Sequence, residues 1–385
     1  MMFKSPTFST ARSDEENYSK EVLTGFLLCL AFLDHTRLFF HYWNTNPGNL
    51  ESTSPMLFFT RFISHFFAPA VFFMSGMRIY MWSKGCDKRK IFYTLIKFGF
   101  VLILTEAVLN NFLWTFNIYY QTLGLFIIGA LGLSIIVLAF LQYLPKSLIL
   151  LLSLLVLFGH HVLDAIELKG FSPASLSWYF LHQQKYIPVE DRLFIINYTI
   201  IPWFAILSSG YAIGYLYRRK WLLTSGISLV ILFIILRIFN NYGESEPWVM
   251  YPDKVKTILS FFSLTKYPAS LDFVAITLGP IFIVLHYLWG IRNGLTDFFA
   301  TFGSVPLFSY LISTLIIHLV AMINLQLQGG SWSDMVITPS SYESGSPLSA
   351  YGYSLLTVYL FWLVFIGIIY ACCRIYLRML KAKGY

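Results

Sequence analysis

Charge is scarce in this chain. Asp, Glu, Lys and Arg together make up 12% of its 385 residues, about half the share of an ordinary soluble domain. The four cysteines, Cys29, Cys86, Cys372 and Cys373, show neither disulfide nor metal-ligand spacing, which excludes a stapled secreted scaffold and a cysteine metal site. The phosphate-cradling glycine loop, the dinucleotide glycine fingerprint, the HExxH zinc helix and the GxSxG nucleophile elbow are all missing. There is no fixed-period repeat and no low-complexity tract. The first 20 residues are polar and lack the apolar core of a cleaved signal peptide.

What is present is apolar. Hydrophobic residues make up 57% of the chain, with 37 Phe, 25 Tyr and 10 Trp. Segments of about 20 apolar residues recur from end to end. They fall at 21–43, 56–82, 91–113, 120–142, 147–166, 197–217, 221–239, 269–290, 300–324 and 351–376. An open sheet would strand unpaired backbone groups in lipid, so the spans are helices. The fold expected is all-α: a polytopic membrane bundle of about ten helices. It forms a single domain over 21–380, preceded by the polar segment 1–20. Pro69 and Pro202 are expected to begin or kink helices.

The net charge of +8 does not indicate nucleic acid, because the basic residues sit in short clusters between spans with no continuous basic face. Such clusters report topology. With the N-terminus inside, sixteen of the 27 Lys and Arg fall on the inner side, seven on the outer side and four within helices. Both termini are therefore expected in the cytoplasm. The outer connections at 167–196, 240–268 and 325–350 are long. Unstructured connections of that length are uncommon unless functional, and a lid over an outward-facing site is the expectation, against simple caps on the bundle.

Ionisable residues inside spans usually mark a pathway or a site. The first span carries Asp34, His35, Arg37 and His41. Asp34, Arg37 and His41 fall within an arc of roughly 60° at about 100° per residue. The outer halves of other spans are polar too: His65, Glu106 with Asn110, His160-His161 with Asp164, Asn241, Lys266-Tyr267, Asp272 and His318. Inner halves are nearly pure Leu, Ile, Phe and Val. This asymmetry predicts a polar cavity open to the outside. A histidine beside a carboxylate suits general-base work, which singles out His41 with Asp34 and His161 with Asp164. Asp34 and Arg37 read equally well as an ion pair that fixes helix register, and the His161 group as an interfacial hydrogen-bond network. No pair has compact metal-ligand spacing, so no metal is expected.

The stretches LDHTRLFFH (33–41), PMLFFTRFISHFFAPAVFFMSG (55–76), FGHHVLDAI (158–166), IPWFAILSSGYAIGYLYRR (201–219), SFFSLTKYPASLDFVAITLGP (260–280) and FGSVPLFSYLISTLIIHLVA (302–321) carry a resemblance. Together with Asn241-Tyr242-Gly243 and Pro247-Trp248, they resemble the bacterial branch of the heparan-alpha-glucosaminide N-acetyltransferase catalytic-domain family. The resemblance is collinear over roughly 20–325, and SLTKYPASL is its most specific piece. It implies a multi-helix membrane acyltransferase in a bacterial cytoplasmic membrane. Acetyl-CoA or another acyl-CoA would be the co-substrate, and a cell-envelope glycan or glycolipid amine or hydroxyl on the outer side the acceptor. A homo-oligomer is compatible with it. The family implicates a histidine at the far end of the first-helix region, preceded by an asparagine. Asp34 stands in the place of that asparagine, and His41 is the nearest histidine, in a loop where the branches differ. Arg37, Asn110 or Lys266 would serve the oxyanion. The alternative expectation is a proton-coupled secondary transporter relaying through Asp34, Glu106 and the histidines. That class often shows two related halves, and no internal repeat is present.

Overall fold

The computed structural model describes residues 11–43, 45–214, 219–343 and 345–383, with side chains from residue 15 onward. The order is α1 (Ala11–Phe40), α2 (Pro55–Ser64), α3 (Phe67–Ser83), α4 (Lys88–Leu104) and α5 (Asn111–Thr115). Then come β1 (Thr122–Leu125), α6 (Ile127–Leu141), α7 (Lys146–Gly159), α8 (Pro173–Leu181), β2 (Lys185–Val189), β3 (Arg192–Ile196) and α9 (Ile200–Ile213). The chain ends with α10 (Arg219–Phe239), α11 (Lys254–Phe262), α12 (Leu271–Leu288), α13 (Gly294–Gly303), α14 (Pro306–Leu327) and α15 (Leu355–Ala382). Among the described residues, eight segments are long and apolar enough to cross a membrane: Glu15–Phe40, Pro55–Ser83, Lys88–Thr115, Lys146–Ala165, Arg219–Phe239, Leu271–Leu288, Pro306–Leu327 and Leu355–Ala382. The chain is thus a mainly helical, multi-pass integral membrane protein. The two remaining apolar segments are the shorter helices α6, of 15 residues, and α9, of 14 residues.

Several boundaries differ from the sequence expectation for local reasons. The polar start is helical from Ala11, and Ser19 and Lys20 are fully buried; residues 1–10 lie outside the described residues. α2 and α3 break at His65-Phe66, because Pro69 has no N–H to donate to the His65 carbonyl one turn back. Pro202 sits in the first turn of α9. The segment at 300–324 is likewise broken. α13 ends at Gly303 and Pro306 opens α14 at a position where its missing N–H is not needed.

The mainly helical bundle carries one small sheet among the described residues. A three-stranded sheet ordered β1-β3-β2 lies in the connections flanking α6 and α9. β1 runs parallel to β3 with Thr122 opposite Leu193, and β2 pairs antiparallel with β3 with Lys185 opposite Ile196. β1 occupies the start of the expected span at 120–142. The Asn111 side chain holds it there, accepting from the Gly124 N–H at 2.6 Å and donating to the Gly124 carbonyl at 3.1 Å. The connection at 167–196 is therefore ordered by α8 and the β2–β3 hairpin.

Lipid is as apolar as leucine, so close helix contacts in membranes depend on small residues that let backbones approach. Four helix pairs cross this way at facing glycines: Gly25 and Gly303 between α1 and α13, Gly76 and Gly210 between α3 and α9, Gly99 and Gly132 between α4 and α6, and Gly226 and Gly279 between α10 and α12. A Cβ on Gly76 would collide with the Leu207 carbonyl, and one on Gly210 with the Phe73 carbonyl. These contacts place α1, α3, α9 and α12 around a shared core that includes Phe32, Phe72, Trp203 and Phe273, all fully buried.

Candidate functional site

One end of the bundle gathers the long connections, and a cavity of about 680 Å³ opens there. Its floor is a stripe on α1. Ala31, Asp34, His35, Leu38 and Tyr42 line it at the three- and four-residue steps of one helix face, with Arg37 on the flank. α2 adds Arg61 and Ser64, and Trp114, Tyr310 and Phe67 close the depth. Each long connection supplies wall residues: Tyr186, Leu193 and Ile195 from the hairpin, Lys266 and Tyr267 from the segment before α12, and Ile337 and Tyr342 from the segment after α14. The Trp43 indole N–H donates to the Ser341 carbonyl at 2.7 Å and ties that last segment to the end of α1.

Charge in the cavity is unbalanced. Asp34 is the one carboxylate among the described lining residues, against Arg37, Arg61 and Lys266. Arg37 donates to Asp34 Oδ1 through Nη2 at 3.0 Å and Nε at 3.2 Å, and Arg61 donates to Oδ2. The carboxylate thus holds two guanidiniums in place, and their remaining N–H groups and the Lys266 ammonium are the surplus. Lys266 lies over the rings of Tyr198, at 5.4 Å, and Tyr267, at 5.2 Å. Burial lowers the Lys266 pKa from its usual value near 10.5, and Arg61 pushes the same way. Burial alone would raise the Tyr267 phenol, but the Lys266 and Arg61 cations outweigh it and lower its pKa. Tyr267 precedes Pro268 through a cis peptide bond. His35 packs edge-on against Trp114 at 4.8 Å and Tyr310 at 5.1 Å.

Of the residues singled out by sequence, Asp34, Arg37, Lys266 and Tyr267 meet in this cavity. His41 does not line it. Its Nδ1–H donates to the Tyr353 carbonyl at 2.8 Å, leaving Nε2 as the basic nitrogen one residue from the cavity rim at Tyr42. Asp34 is engaged with the two arginines, not with that imidazole. His65 lies at the α2–α3 break against Phe273, with its buried Nδ1 unpartnered.

Glu106 serves architecture. It sits in a π-helical turn, Thr105–Asn110, where the backbone widens to point it at the start of α6. Oε2 accepts from the Ile128 and Gly129 amides at 3.0 and 2.9 Å, and Oε1 from Asn110 Nδ2 at 2.7 Å. A carboxylate at a helix N-terminus satisfies otherwise orphaned donors and complements the helix dipole. His318 is fully buried, its two nitrogens facing the Leu113 and Met335 carbonyls at 2.9 Å each. Asp272 lies 3.7 Å from Arg237, both 1% exposed, and Arg237 also donates to the Phe261 and Ser260 carbonyls at 2.9 Å. Asn241 is exposed in the connection after α10.

The histidine doublet forms a separate cluster. His161 Nδ1 is 3.1 Å from Asp164 Oδ2, and its Nε2 accepts the Leu271 N–H at 3.1 Å. That acceptor role places the His161 proton on Nδ1, donating to Asp164. His182 Nε2 stands 2.8 Å from Asp164 Oδ1. The network ties the end of α7 to the C-terminus of α8 and the first turn of α12.

Sequence reasoning did not single out Tyr198 or Tyr310, and it took Trp114 only as one of the outer-side aromatics that could stack on a sugar and Arg61 only as an outer-side cation. Arg61 counts as an outer-loop charge until α2 is known to be a helix crossing α1. His35 was legible, since the 31-34-35-38-42 stripe follows helical spacing.

No protein-family model matches the chain, and no curated protein matches it significantly. The family resemblance rests on the residues that carry it.

Proposed function

We propose that this protein is a membrane-embedded acyltransferase that moves an acetyl or short acyl group from a CoA thioester to an extracytoplasmic sugar or glycolipid amine or hydroxyl. The observation that carries the reading is the cavity with its surplus of cationic donors around Asp34. Acyl transfer needs a base for the nucleophile's proton and donors for the oxyanion. In this reading the acceptor nitrogen or oxygen attacks the thioester carbonyl carbon and gives its proton to His35. The carbonyl electrons move to oxygen and are met by the Lys266 ammonium and the Arg61 guanidinium. Collapse breaks the C–S bond, and the leaving thiolate takes the proton back from His35. The same cations suit phosphate charge on the donor. Asp34 positions the arginines. His41 at the rim is the competing base, and the cluster of His161 and Asp164 lies outside the cavity.

The proton-relay transporter reading would use Glu106. That carboxylate is engaged by three donors and does not line the cavity, so we favour transfer. The test uses protein reconstituted in liposomes with acetyl-labelled CoA and a panel of amino sugars. Transfer of label is expected, falling about 10²–10⁴-fold in His35→Gln, the range for loss of a general base. Full activity in His35→Gln with loss in His41→Gln moves the base to the rim. No transfer, together with no thermal shift from acetyl-CoA, overturns the reading.

A further inference from the structure

The cluster at the end of α7 is built from more ligand-bearing groups than a hydrogen-bond network needs. His160 and His182 are each 2% exposed. His160 lies against the Ala269 backbone, yet neither of its ring nitrogens makes a well-formed hydrogen bond to the protein. The buried Nδ1 of His182 is also without a partner. Leaving a buried polar nitrogen unpaired costs about 1–3 kcal/mol, and with one side of the His160 ring against Ala269 the other ring nitrogen still has no partner. One nitrogen each of His160 and His161 and one oxygen of Asp164 already lie within 4.8 Å of one another.

We propose that this cluster is a site for a divalent transition-metal ion of the zinc class, with His160, Asp164 and His182 as ligands and His161 as the group that orients Asp164. Imidazole nitrogen and carboxylate oxygen are the ligand set zinc accepts. The His160 and His182 rings stand 5.4 Å apart between centroids, inclined at 72°. Two imidazoles sharing a tetrahedral ion through bonds of about 2.0–2.1 Å hold their centroids about 5 Å apart. His182 Nε2 and Asp164 Oδ1, now 2.8 Å apart across a proton, need to separate by only a few tenths of an ångström to become adjacent ligands. The proton balance closes within the cluster. His182 moves its proton from Nε2 to the unpartnered Nδ1, and His160 offers a neutral lone pair. No net proton leaves. His161 keeps both present bonds, donating from Nδ1 to Asp164 Oδ2 and accepting the Leu271 N–H. That is the outer-shell arrangement that fixes a ligating carboxylate.

The ion would join three separate pieces of chain: the end of α7, the C-terminus of α8 and, through His161, the first turn of α12. The segment just before that turn carries Lys266 and Tyr267, so the ion braces one wall of the cavity whether or not the cavity performs acyl transfer. The test uses untagged full-length protein in detergent, stripped with EDTA and titrated with Zn²⁺ against a chromophoric chelator. Co²⁺ serves as the spectroscopic substitute. One saturable ion per chain is expected, with a tetrahedral-type visible absorption for Co²⁺ and a rise in melting temperature. His160→Gln, His182→Gln and Asp164→Asn abolish that uptake, and His161→Gln weakens it about 10–100-fold at unchanged stoichiometry. Absence of saturable uptake by the wild-type protein overturns the site without reference to any variant. Undiminished affinity in a folded His160→Gln/His182→Gln double variant, with folding checked by gel filtration, overturns it too.

Discussion

Asp34→Asn tests whether the cavity is organised as its charges suggest. The substitution keeps size and shape and removes only the negative charge. Asp34, Arg37 and Arg61 are 15%, 5% and 24% exposed, so the three charges are largely withdrawn from water and depend on one another. Removing one partner of a buried ion pair costs about 3–5 kcal/mol, because the other charge is left uncompensated. Here the partial exposure of Arg61 lets water recover some of that, and a loss of about 3 kcal/mol is expected. Arg61→Gln should cost less, about 1.5–3 kcal/mol for a charged hydrogen bond, since Asp34 retains Arg37. The double variant removes opposite charges together, so the two losses should fail to add by about 0.5–3 kcal/mol. The assay is reversible unfolding in mixed micelles. Pyrophosphate supplies an internal check. Asp34→Asn leaves three cations and no carboxylate among the described lining residues, so at one fixed concentration the anion should raise its stability more than that of the wild type, by about 1.4 kcal/mol for each tenfold gain in affinity at saturation. A loss below about 1 kcal/mol, or simple additivity with Arg61→Gln, would refute the view that one desolvated carboxylate holds both guanidiniums.

Other expectations follow from the same geometry. Glu106→Gln should be mild, about 0.3–2 kcal/mol for the lost charge at a helix N-terminus, because Asn110 can turn its unpartnered Oδ1 toward the new amide. Glu106→Leu strands the Ile128 and Gly129 amides and should cost about 1–3 kcal/mol for each; unfolding measurements on the two variants decide. The lowered pKa of Lys266 means the cavity loses a positive charge at a lower pH than an exposed lysine would. Anion affinity, measured by thermal shift, should therefore fall as pH rises through that lowered value toward 10.5, and Lys266→Arg should flatten the profile. The stability sign is opposite. Between the two pKa values the unfolded chain binds more protons than the folded one, so Lys266 makes stability rise with pH there. Gly76→Ala drives a methyl group into the Leu207 carbonyl, and a loss of about 1–3 kcal/mol or more is expected from overpacking. An unchanged melting temperature would show that α3 and α9 can part freely.

By itself the sequence determines the solvent and the polarity of this protein. Runs of apolar residues too long for a soluble core require a membrane, and the confinement of ionisable groups to one half of the spans predicts a polar space at one end. It also places Asp34, Arg37, Lys266 and Tyr267 among the groups that matter, because a charge in a hydrocarbon layer must have a partner or a task. What it leaves open is partnership. Asp34 and Arg37 are a turn apart on α1, but Arg61, the second claimant on Asp34, comes from another helix 27 residues away. The periodicity of a uniformly apolar helix does not reveal which face meets a neighbour, so the glycine pairs that set the crossings are visible only in three dimensions. The same holds for Glu106, which reads as a buried acid in sequence and becomes a helix cap once β1 and α6 are in place. His160 and His161 are neighbours in the chain, yet His182 reaches them only because α8 and the hairpin fold back over the end of α7. Local chemistry is written residue by residue, whereas a site is a set of long-range contacts, and only the tertiary structure closes them.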